Sequence, residues 1–190
     1  GDYIYEYAEG KYDNAEVLKQ GRTSKPKTEI VSLEDYRQRY AHYRTDVNLL
    51  AAHAAHPFIC VWDDHEVAND TWKDGAENHN EGEGDFKARQ SAAIRAYYEW
   101  LPIRESKATA EGKIYRTFEL GDVASLIMLD TRHIGRDKGF TYQNDLPMRT
   151  IPFNFANAEN PTAILDKAAM DAADPQAIKQ ITVPFLLSKE

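Results

Sequence analysis

Cysteine is almost absent from this sequence, since Cys60 is the single cysteine among 190 residues. A disulfide bond within the chain is therefore excluded. Cys60 lies inside the apolar run 58–62, where a small buried hydrophobic side chain is the common role of a lone cysteine and a ligand is the alternative. The fold must be stabilised by packing and not by bonds between cysteines.

Long apolar runs and an excess of basic residues are lacking as well. No stretch approaches the roughly 18 apolar residues of a transmembrane helix, and no basic-then-apolar signal peptide opens the chain. The formal net charge of −8 argues against general nucleic-acid binding, which depends on clustered Lys and Arg. A small phosphorylated substrate is not excluded, because a bound cation reverses the local field.

Two amphipathic helices are predicted by apolar residues that recur at steps of three and four. The first pattern covers 36–54, with Ser32 as its N-cap, and Pro57 follows it. The second covers 85–101 and comes directly before Pro102. Because proline cannot continue a helix, both helices are expected to end before these prolines.

Short apolar segments between and after the helices predict β-strands. The run 58–62 is continuous, as in a strand buried on both faces, and 1–7 has the pattern of a buried strand that ends in a loop. The segments 113–120 and 123–129 flank a Gly-Asp turn signal and predict a hairpin or two neighbouring strands, the second being of core type. Helices that alternate with buried strands predict a layered α/β fold.

Polar side chains with metal-binding chemistry accompany two of these apolar segments. Asp2 and Tyr5 lie in the first, and the second is followed by Trp62-Asp63-Asp64-His65-Glu66-Val67-Ala68-Asn69-Asp70. Adjacent carboxylates repel each other unless a cation lies between them, and oxygen ligands suit hard cations such as Ca²⁺, Mg²⁺ and ferric iron. A metal site is therefore predicted at these strand ends, where open α/β sheets bind ligands.

Each of these residues also has a simpler interpretation. Asp2 alone can be a loop residue or a helix cap, Asp63 and Asp64 can form a turn, and His65 can be a surface or hydrogen-bonded histidine. The hypothesis of a metal site depends on their combination. A turn without function has little need for Trp, two Asp, His, Glu and Asn within eight residues.

Four segments resemble successive motifs of the PhoD-like alkaline phosphatases and phosphodiesterases. They are 1–7, the Trp-Asp-Asp-His-Glu-Val-Ala-Asn run at 62–69, Gly-Ala-Glu-Asn-His at 75–79 and Met-Leu-Asp-Thr-Arg at 128–132. The resemblance covers 1–137 in order and implies a calcineurin-like metallophosphoesterase fold of the α/β class. In that fold two β-sheets stack face to face between helices, in αββα layers, with a metal cluster at the strand ends.

The resemblance implies a metal cluster of Fe³⁺ and Ca²⁺, with other divalent metals as alternatives. Asp2 would be the aspartate that bridges two metals. Tyr5 would be the tyrosine that binds ferric iron, and Asp64 a second metal ligand. Asp63 would be a ligand or a residue that supports one.

The activity implied is metal-dependent hydrolysis of phosphate esters by a metal-activated water, without a covalent enzyme intermediate. His65 would be the catalytic residue, which stabilises the phosphoryl oxygens or protonates the leaving group. Asn69 and Arg132 would bind or orient a small phosphate mono- or diester. Resemblance to this family also implies an extracytoplasmic location, periplasmic or secreted.

The sequence departs from the family pattern at both ends. An upstream cysteine-containing metal motif and a downstream histidine motif are not present, so we expect a fragment that needs the remainder of a parent chain to complete its site. The whole chain is interpreted as one partial catalytic domain, in which 138–190 are irregular and form an insertion or loop region, apart from a short helix near 165–172. His133 is retained as a minor site candidate. A non-catalytic metal- or phosphate-binding module and an interaction fragment remain alternative functions.

Overall fold

A computed structural model describes residues 1–12, 15–104, 112–141, 145 and 148–184. Chain contacts divide it into two compact units, Gly1–Lys138 and Gly139–Glu190, which are described separately. The interpretation as one partial catalytic domain stays a prediction. Within the described ranges, no helix is both long enough and apolar enough to cross a membrane.

The first unit contains four helices among its described residues. They are α1 (Ala15–Lys19), α2 (Leu33–Tyr43), α3 (Val47–Ala55) and α4 (Phe86–Trp100). Ser32 and Asp35 form a reciprocal capping box at the start of α2. Asp85 caps α4 by accepting a hydrogen bond from the Ala88 N–H, so the prediction of a helix over 85–101 is confirmed to within one residue at each end.

The prediction of one continuous helix over 36–54 is wrong, because the chain turns between α2 and α3. The Asp46 carboxylate accepts hydrogen bonds from the N–H groups of Asn48 and Leu49 at 2.9 and 3.0 Å. Aspartate competes for backbone donors in this way and therefore favours a helix start over a helix interior. The apolar period continues across the break, which is why periodicity alone did not reveal it.

The predicted hairpin is confirmed as β1 (Arg116–Leu120) paired antiparallel with β2 (Ala124–Met128). Gly121 lies in the connecting turn at a positive φ of 62°, a conformation that glycine adopts without strain. The core position predicted for 123–129 is wrong. Val123, Ile127 and Leu129 are 86%, 63% and 62% exposed.

Strands were also predicted at 1–7 and 58–62, and both predictions are wrong for the described residues. Neither segment pairs with a strand: the chain bends at Tyr3 and Ile4, and 58–62 have no regular secondary structure. The backbone of the first is held by the buried Arg39 of α2, whose guanidinium donates to the carbonyls of Tyr5 and Tyr7. The burial predicted for 58–62 is wrong as well, since Trp62 is buried but Ile59 is 49% exposed. A strand also needs a backbone partner beside it.

The core of the first unit lies between α2, α4 and the segments 1–7 and 58–62. Arg89 of α4 is buried at its centre and donates hydrogen bonds to the Tyr36 hydroxyl at 3.1 Å and to the Ile30 carbonyl at 2.9 Å. The apolar and aromatic part of the core also includes Ile4, Tyr40, Trp62, Val67, Ala68, Ala76, Phe86, Ala93, Ala96, Tyr97, Leu101 and Ile114.

The second unit is built on a three-stranded antiparallel sheet in the order β4-β3-β5. Its elements are β3 (Met148–Asn154), β4 (Thr162–Ala163), α5 (Lys167–Ala172), a 3₁₀ turn (Pro175–Ala177) and β5 (Ile178–Pro184). The short helix predicted near 165–172 is confirmed. The prediction of irregular structure over 138–190 is wrong for the described residues, because they contain this three-stranded sheet. The sheet was not expected from the sequence because Pro152 lies inside β3, and a proline argues against a strand when only the sequence is considered.

Candidate metal centre

The two segments that carry the predicted ligands are joined by one buried carboxylate. Glu66 is 1% exposed, and its two oxygens accept hydrogen bonds from the backbone N–H groups of Tyr3 and Asp63, the second at 2.6 Å. Burial raises the pKa of Glu66 to about 7 although both hydrogen bonds act in the opposite direction. Glu66 therefore fixes the backbone beside Asp2 relative to the backbone beside Asp64.

Three predicted site residues meet where these segments join. Asp2, Asp64 and His65 each offer one ligand atom, and these atoms all lie within 4.8 Å of one another. Asp2 is exposed, whereas Asp64 and His65 are buried. The Tyr5 hydroxyl donates a hydrogen bond to the Asp2 carboxylate at 3.2 Å, and the Tyr5 ring centre lies 4.3 Å from that of His65.

The donor set of this cluster fits a metal ion. Two carboxylates, a phenol and an imidazole supply oxygen and nitrogen donors, and such a mixture suits a hard or borderline cation. Without a cation, Asp2 and Asp64 repel each other. Asp64 is held in place by the N–H of Asp70, which donates to one of its carboxylate oxygens at 2.6 Å.

Electrostatics shift the pKa of both ring residues at the cluster. Burial would lower the pKa of His65, but its hydrogen bond to Glu6 and the charges of Glu6, Asp64 and Asp2 outweigh burial and raise it. The pKa of Tyr5 is also raised, chiefly by burial and further by its hydrogen bonds and the negative charge of Asp2. The surroundings therefore favour positive charge on His65 and oppose negative charge on Tyr5.

Arg132 lies beside the cluster and contacts three aspartates. Its guanidinium is 2.6 Å from Asp63, 3.4 Å from Asp64 and 3.3 Å from Asp70. The Asp63 carboxylate is therefore paired with Arg132 and does not belong to the group of converging ligand atoms. This arrangement is closer to a supporting role for Asp63 than to direct ligation.

Asn69 is not brought to the cluster through its side chain. The amide nitrogen of Asn69 donates to Glu77 at 3.0 Å, and its backbone N–H donates to Glu6 at 2.6 Å. Its substrate role stays a prediction, as do the roles assigned to the other predicted site residues.

Comparison with known proteins identifies the family. A model of the PhoD-like phosphatases matches residues 1–172. The chain belongs to the PhoD-like phosphatase family. It is 42% identical over 150 residues to alkaline phosphatase D of Bacillus subtilis strain 168, a match that covers 77% of this chain and 25% of that protein.

A solved structure of PhoD is also similar, with a TM-score of 0.61 and 39% identity over 78% of this chain and 27% of the other. The PhoD-like chain thus spans about a quarter of the length of the relatives it matches. The predicted family and the predicted α/β fold class, with its helices and antiparallel sheets, are confirmed.

Sequence reasoning missed Glu6, a buried residue that organises this PhoD-like site. Its carboxylate is fully buried and accepts hydrogen bonds from His65 Nδ1 at 2.7 Å, from the Asn69 N–H at 2.6 Å and from Asn78 Nδ2 at 2.8 Å. A signal was present in the sequence, because Glu6 lies two residues after the buried Ile4. The alternation of a strand, which the sequence predicts for 1–7, places both on one side.

His133 was a minor candidate, and the structure places it outside the ligand cluster. It is 9% exposed, its Nδ1 is 2.9 Å from Gln90 Nε2, and its ring packs edge-on against Trp62. Its Nε2 is buried and has no hydrogen-bond partner among the described residues. Burial lowers its pKa to about 4, so His133 is a neutral core histidine at ordinary pH.

Proposed function

We propose that this chain contributes to metal-dependent hydrolysis of phosphate monoesters or diesters, as part of an alkaline phosphatase or phosphodiesterase. The observation that carries the proposal is the convergence of Asp2, Asp64 and His65 with ligand atoms within 4.8 Å, in a chain of the PhoD-like phosphatase family. The relatives' full activity comes to this chain only as a proposal, because it spans a quarter of their length.

Asp2, Tyr5, Asp64 and His65 would hold the metal, and Fe³⁺ with Ca²⁺ is the proposed pair. A metal held by these residues would supply charge neutralisation for phosphoryl oxygens and a bound water of lowered pKa. The phenol of Tyr5 favours ferric iron, and the carboxylates suit calcium.

His65 and Arg132 are proposed to act on the phosphoester. A His65 ring that does not hold the metal is set against a buried carboxylate that favours its protonated form, and it can then donate a proton to a leaving alkoxide or stabilise phosphoryl oxygens. Arg132 is 18% exposed at its side chain and can turn part of its planar guanidinium towards a phosphate, for which arginine geometry is well suited. Asp63 would keep Arg132 in place, and Asn69 is proposed to support the substrate side.

A metal- or phosphate-binding module without turnover is the second candidate. It is favoured by one observation, that His65 is the single histidine in the converging group, so proton transfer and metal ligation would compete for the same ring. An interaction fragment is the third. Export to an extracytoplasmic compartment is proposed from family membership alone.

The first experiment follows visible absorption while the purified chain is titrated with ferric iron and calcium. Iron bound by a tyrosine phenolate gives a charge-transfer band, which we expect in the wild type and not in Tyr5→Phe. Tyr115→Phe is the matched control, because Tyr115 is half exposed and is not part of the cluster. Hydrolysis of 4-nitrophenyl phosphate and bis(4-nitrophenyl) phosphate by the loaded chain is then compared with Asp64→Asn.

The outcomes separate the three candidates. A Tyr5-dependent band with hydrolysis lost in Asp64→Asn supports the enzyme. The band without hydrolysis supports the binding module. A folded chain that retains no iron and shows no band contradicts both and leaves the interaction fragment.

A further inference from the structure

Glu6 and His65 are in contact in the interior of the first unit. Glu6 Oε2 is 2.7 Å from His65 Nδ1. Glu6 Oε1 is already an acceptor for two other groups, the Asn69 backbone N–H and the Asn78 side-chain amide. All three contacts are made by a carboxylate that is 0% exposed, so solvent supplies no competing partner.

The two groups that contact Glu6 Oε1 can act only as hydrogen-bond donors, and this determines where the proton between Glu6 and His65 lies. A backbone N–H can only donate. The orientation of the Asn78 amide is set by its oxygen, which accepts a hydrogen bond from Asn80 at 3.3 Å. With Oε1 satisfied twice, the carboxylate faces the imidazole through Oε2. Since imidazole is more basic than a carboxylate, the shared proton belongs on His65 Nδ1.

We propose that Glu6 is the positioning residue of His65, which it holds in the tautomer that carries the proton on Nδ1. In the neutral ring the lone pair then lies on Nε2. Nε2 is therefore the nitrogen available to a metal ion or a phosphoryl group, and this consequence rests on the proposed function.

Neighbouring groups hold Glu6 and His65 in place. The Glu6 backbone carbonyl accepts a hydrogen bond from the Ile30 N–H at 3.0 Å, which holds the backbone that carries the Glu6 carboxylate. The Tyr5 ring covers one side of the imidazole, with ring centres 4.3 Å apart. Tyr5 and Glu6, which are neighbours in the segment 1–7, thus fix the ring rotation of His65 and the nitrogen that carries its proton, although His65 follows Glu6 by 59 positions.

The proposal is tested by side-chain ¹⁵N NMR of the metal-free chain, at a pH high enough for a neutral imidazole. We expect His65 to show a protonated Nδ1 and an unprotonated Nε2. In Glu6→Gln, the amide oxygen stays with the two Oε1 donors, so the NH₂ group faces Nδ1. Because Nδ1 must then accept a hydrogen bond, we expect the proton to move to Nε2.

Glu77→Gln is the matched control. Glu77 accepts a hydrogen bond from the side chain of Asn69 at 3.0 Å, the residue whose backbone N–H donates to Glu6. The same change from carboxylate to amide is therefore made close to Glu6 but outside its contact with His65, and His65 should keep its Nδ1 proton. The signals of the other five histidines report whether each variant is folded. A wild-type His65 with its proton on Nε2 overturns the proposal, as does a folded Glu6→Gln chain that keeps Nδ1 protonated. If Glu6→Gln does not fold, the wild-type spectrum alone decides.

The second part of the test measures iron affinity with ferric citrate. Loss of a carboxylate that orients a metal-bound histidine typically weakens metal affinity about 10- to 100-fold, and we expect a loss of this size in Glu6→Gln but not in Glu77→Gln. Equal affinity in a variant with a reversed tautomer would overturn the link between Glu6 and the metal. If the wild type binds no iron, the proposed function fails, whereas the tautomer result still stands or falls by the spectrum.

Discussion

At the scale of single residues, buried charged side chains hold the first unit together. Arg89 is fully buried at its side chain and contacts Glu29 at 2.9 Å and Glu83 at 3.0 Å. It also donates to the Asn78 carbonyl at 2.9 Å, so it connects α4 to the loop that supplies a donor to Glu6. Substitution of such a residue affects several buried acceptors at once.

We therefore predict that Arg89→Lys lowers the free energy of unfolding by about 3 kcal/mol, because a lysine cannot reproduce the fork of donors and leaves buried acceptors unpaired. Arg95→Lys on the same helix is the control. Arg95 is 65% exposed at its side chain, and its loss should cost about 0.5 kcal/mol or less. Urea unfolding of both variants checks this, and equal losses would contradict a structural role for Arg89.

A buried histidine predicts a pH dependence of stability. Burial lowers the pKa of His133 from 6.5 to about 4, so in this interval the unfolded chain binds a proton that the folded chain does not. The contribution of neutral His133 to the free energy of unfolding is therefore fully present above about pH 6.5 and is lost as the pH falls towards 4. The loss is on the order of 1–3 kcal/mol.

His133→Phe removes the titrating group and should flatten this part of the curve of unfolding free energy against pH. The control is His56→Phe, since His56 is exposed. The idea fails if His133→Phe retains the wild-type slope between pH 6.5 and 4.

At the scale of elements, α2 and α4 are connected by an ion pair with two hydrogen bonds. Arg37 donates to both oxygens of Glu99, at 2.7 and 2.6 Å. The Arg37 hydrogen bond is the main cause that lowers the pKa of Glu99 to about 2, with Arg95 adding to it. The folded state therefore holds Glu99 ionised at a pH where the unfolded chain is protonated.

We predict that Glu99→Gln costs about 0.5 kcal/mol at pH 7, a value kept small because the pair is partly exposed and screened. A lowered pKa gives stability that is present above about pH 4.5 and is lost as the pH falls towards 2. The difference between wild type and variant should accordingly shrink between pH 5 and 3 in urea unfolding. Glu16→Gln, at an exposed pair on α1, should show little change, and a Glu99 difference independent of pH would argue against the ion pair.

Local signals allowed some elements to be predicted from the sequence, and tertiary partners determined the rest. The boundaries of α4 follow from Asp85 and Pro102, and the hairpin follows from the turn at Gly121; all of these act on their own neighbours. The break at Asp46 was missed because the apolar period continues through it. The apolar run 58–62 predicts a buried strand, but Ile59 is 49% exposed, and the Cys60 carbonyl accepts a hydrogen bond from the Arg116 side chain at 2.6 Å instead of from a neighbouring strand.

The candidate site was predictable in composition but not in its supports. The concentration of carboxylates and a histidine after Trp62 indicated a cation, and Asp64 and His65 do lie beside Asp2. Their order in the sequence could not show that Asp63 pairs with Arg132, 69 positions away. It also gave no reason to single out Glu66, because the burial of this glutamate becomes evident only when both segments are folded together.

At the scale of the whole molecule, the hairpin of β1 and β2 presents apolar side chains to solvent. Ile127 lies in β2 and Leu129 follows directly after the last residue of that strand, and both are more than 60% exposed. Among the described residues β1 and β2 pair only with each other, so each has one edge without a strand partner there. Contiguous exposed apolar groups next to unpaired backbone form a surface for association.

We therefore predict that the isolated chain self-associates as its concentration rises, and that Ile127→Glu reduces this association. Leu165→Glu is the matched control, because Leu165 is 70% exposed in the second unit and the substitution adds the same charge to a chain of net charge −8. Sedimentation velocity over a concentration series measures the effect. If both variants reduce association equally, charge repulsion alone explains it; if only Ile127→Glu does so, the hairpin face is the contact surface. A wild-type chain that stays monomeric at high concentration would show that its exposed hairpin does not drive association.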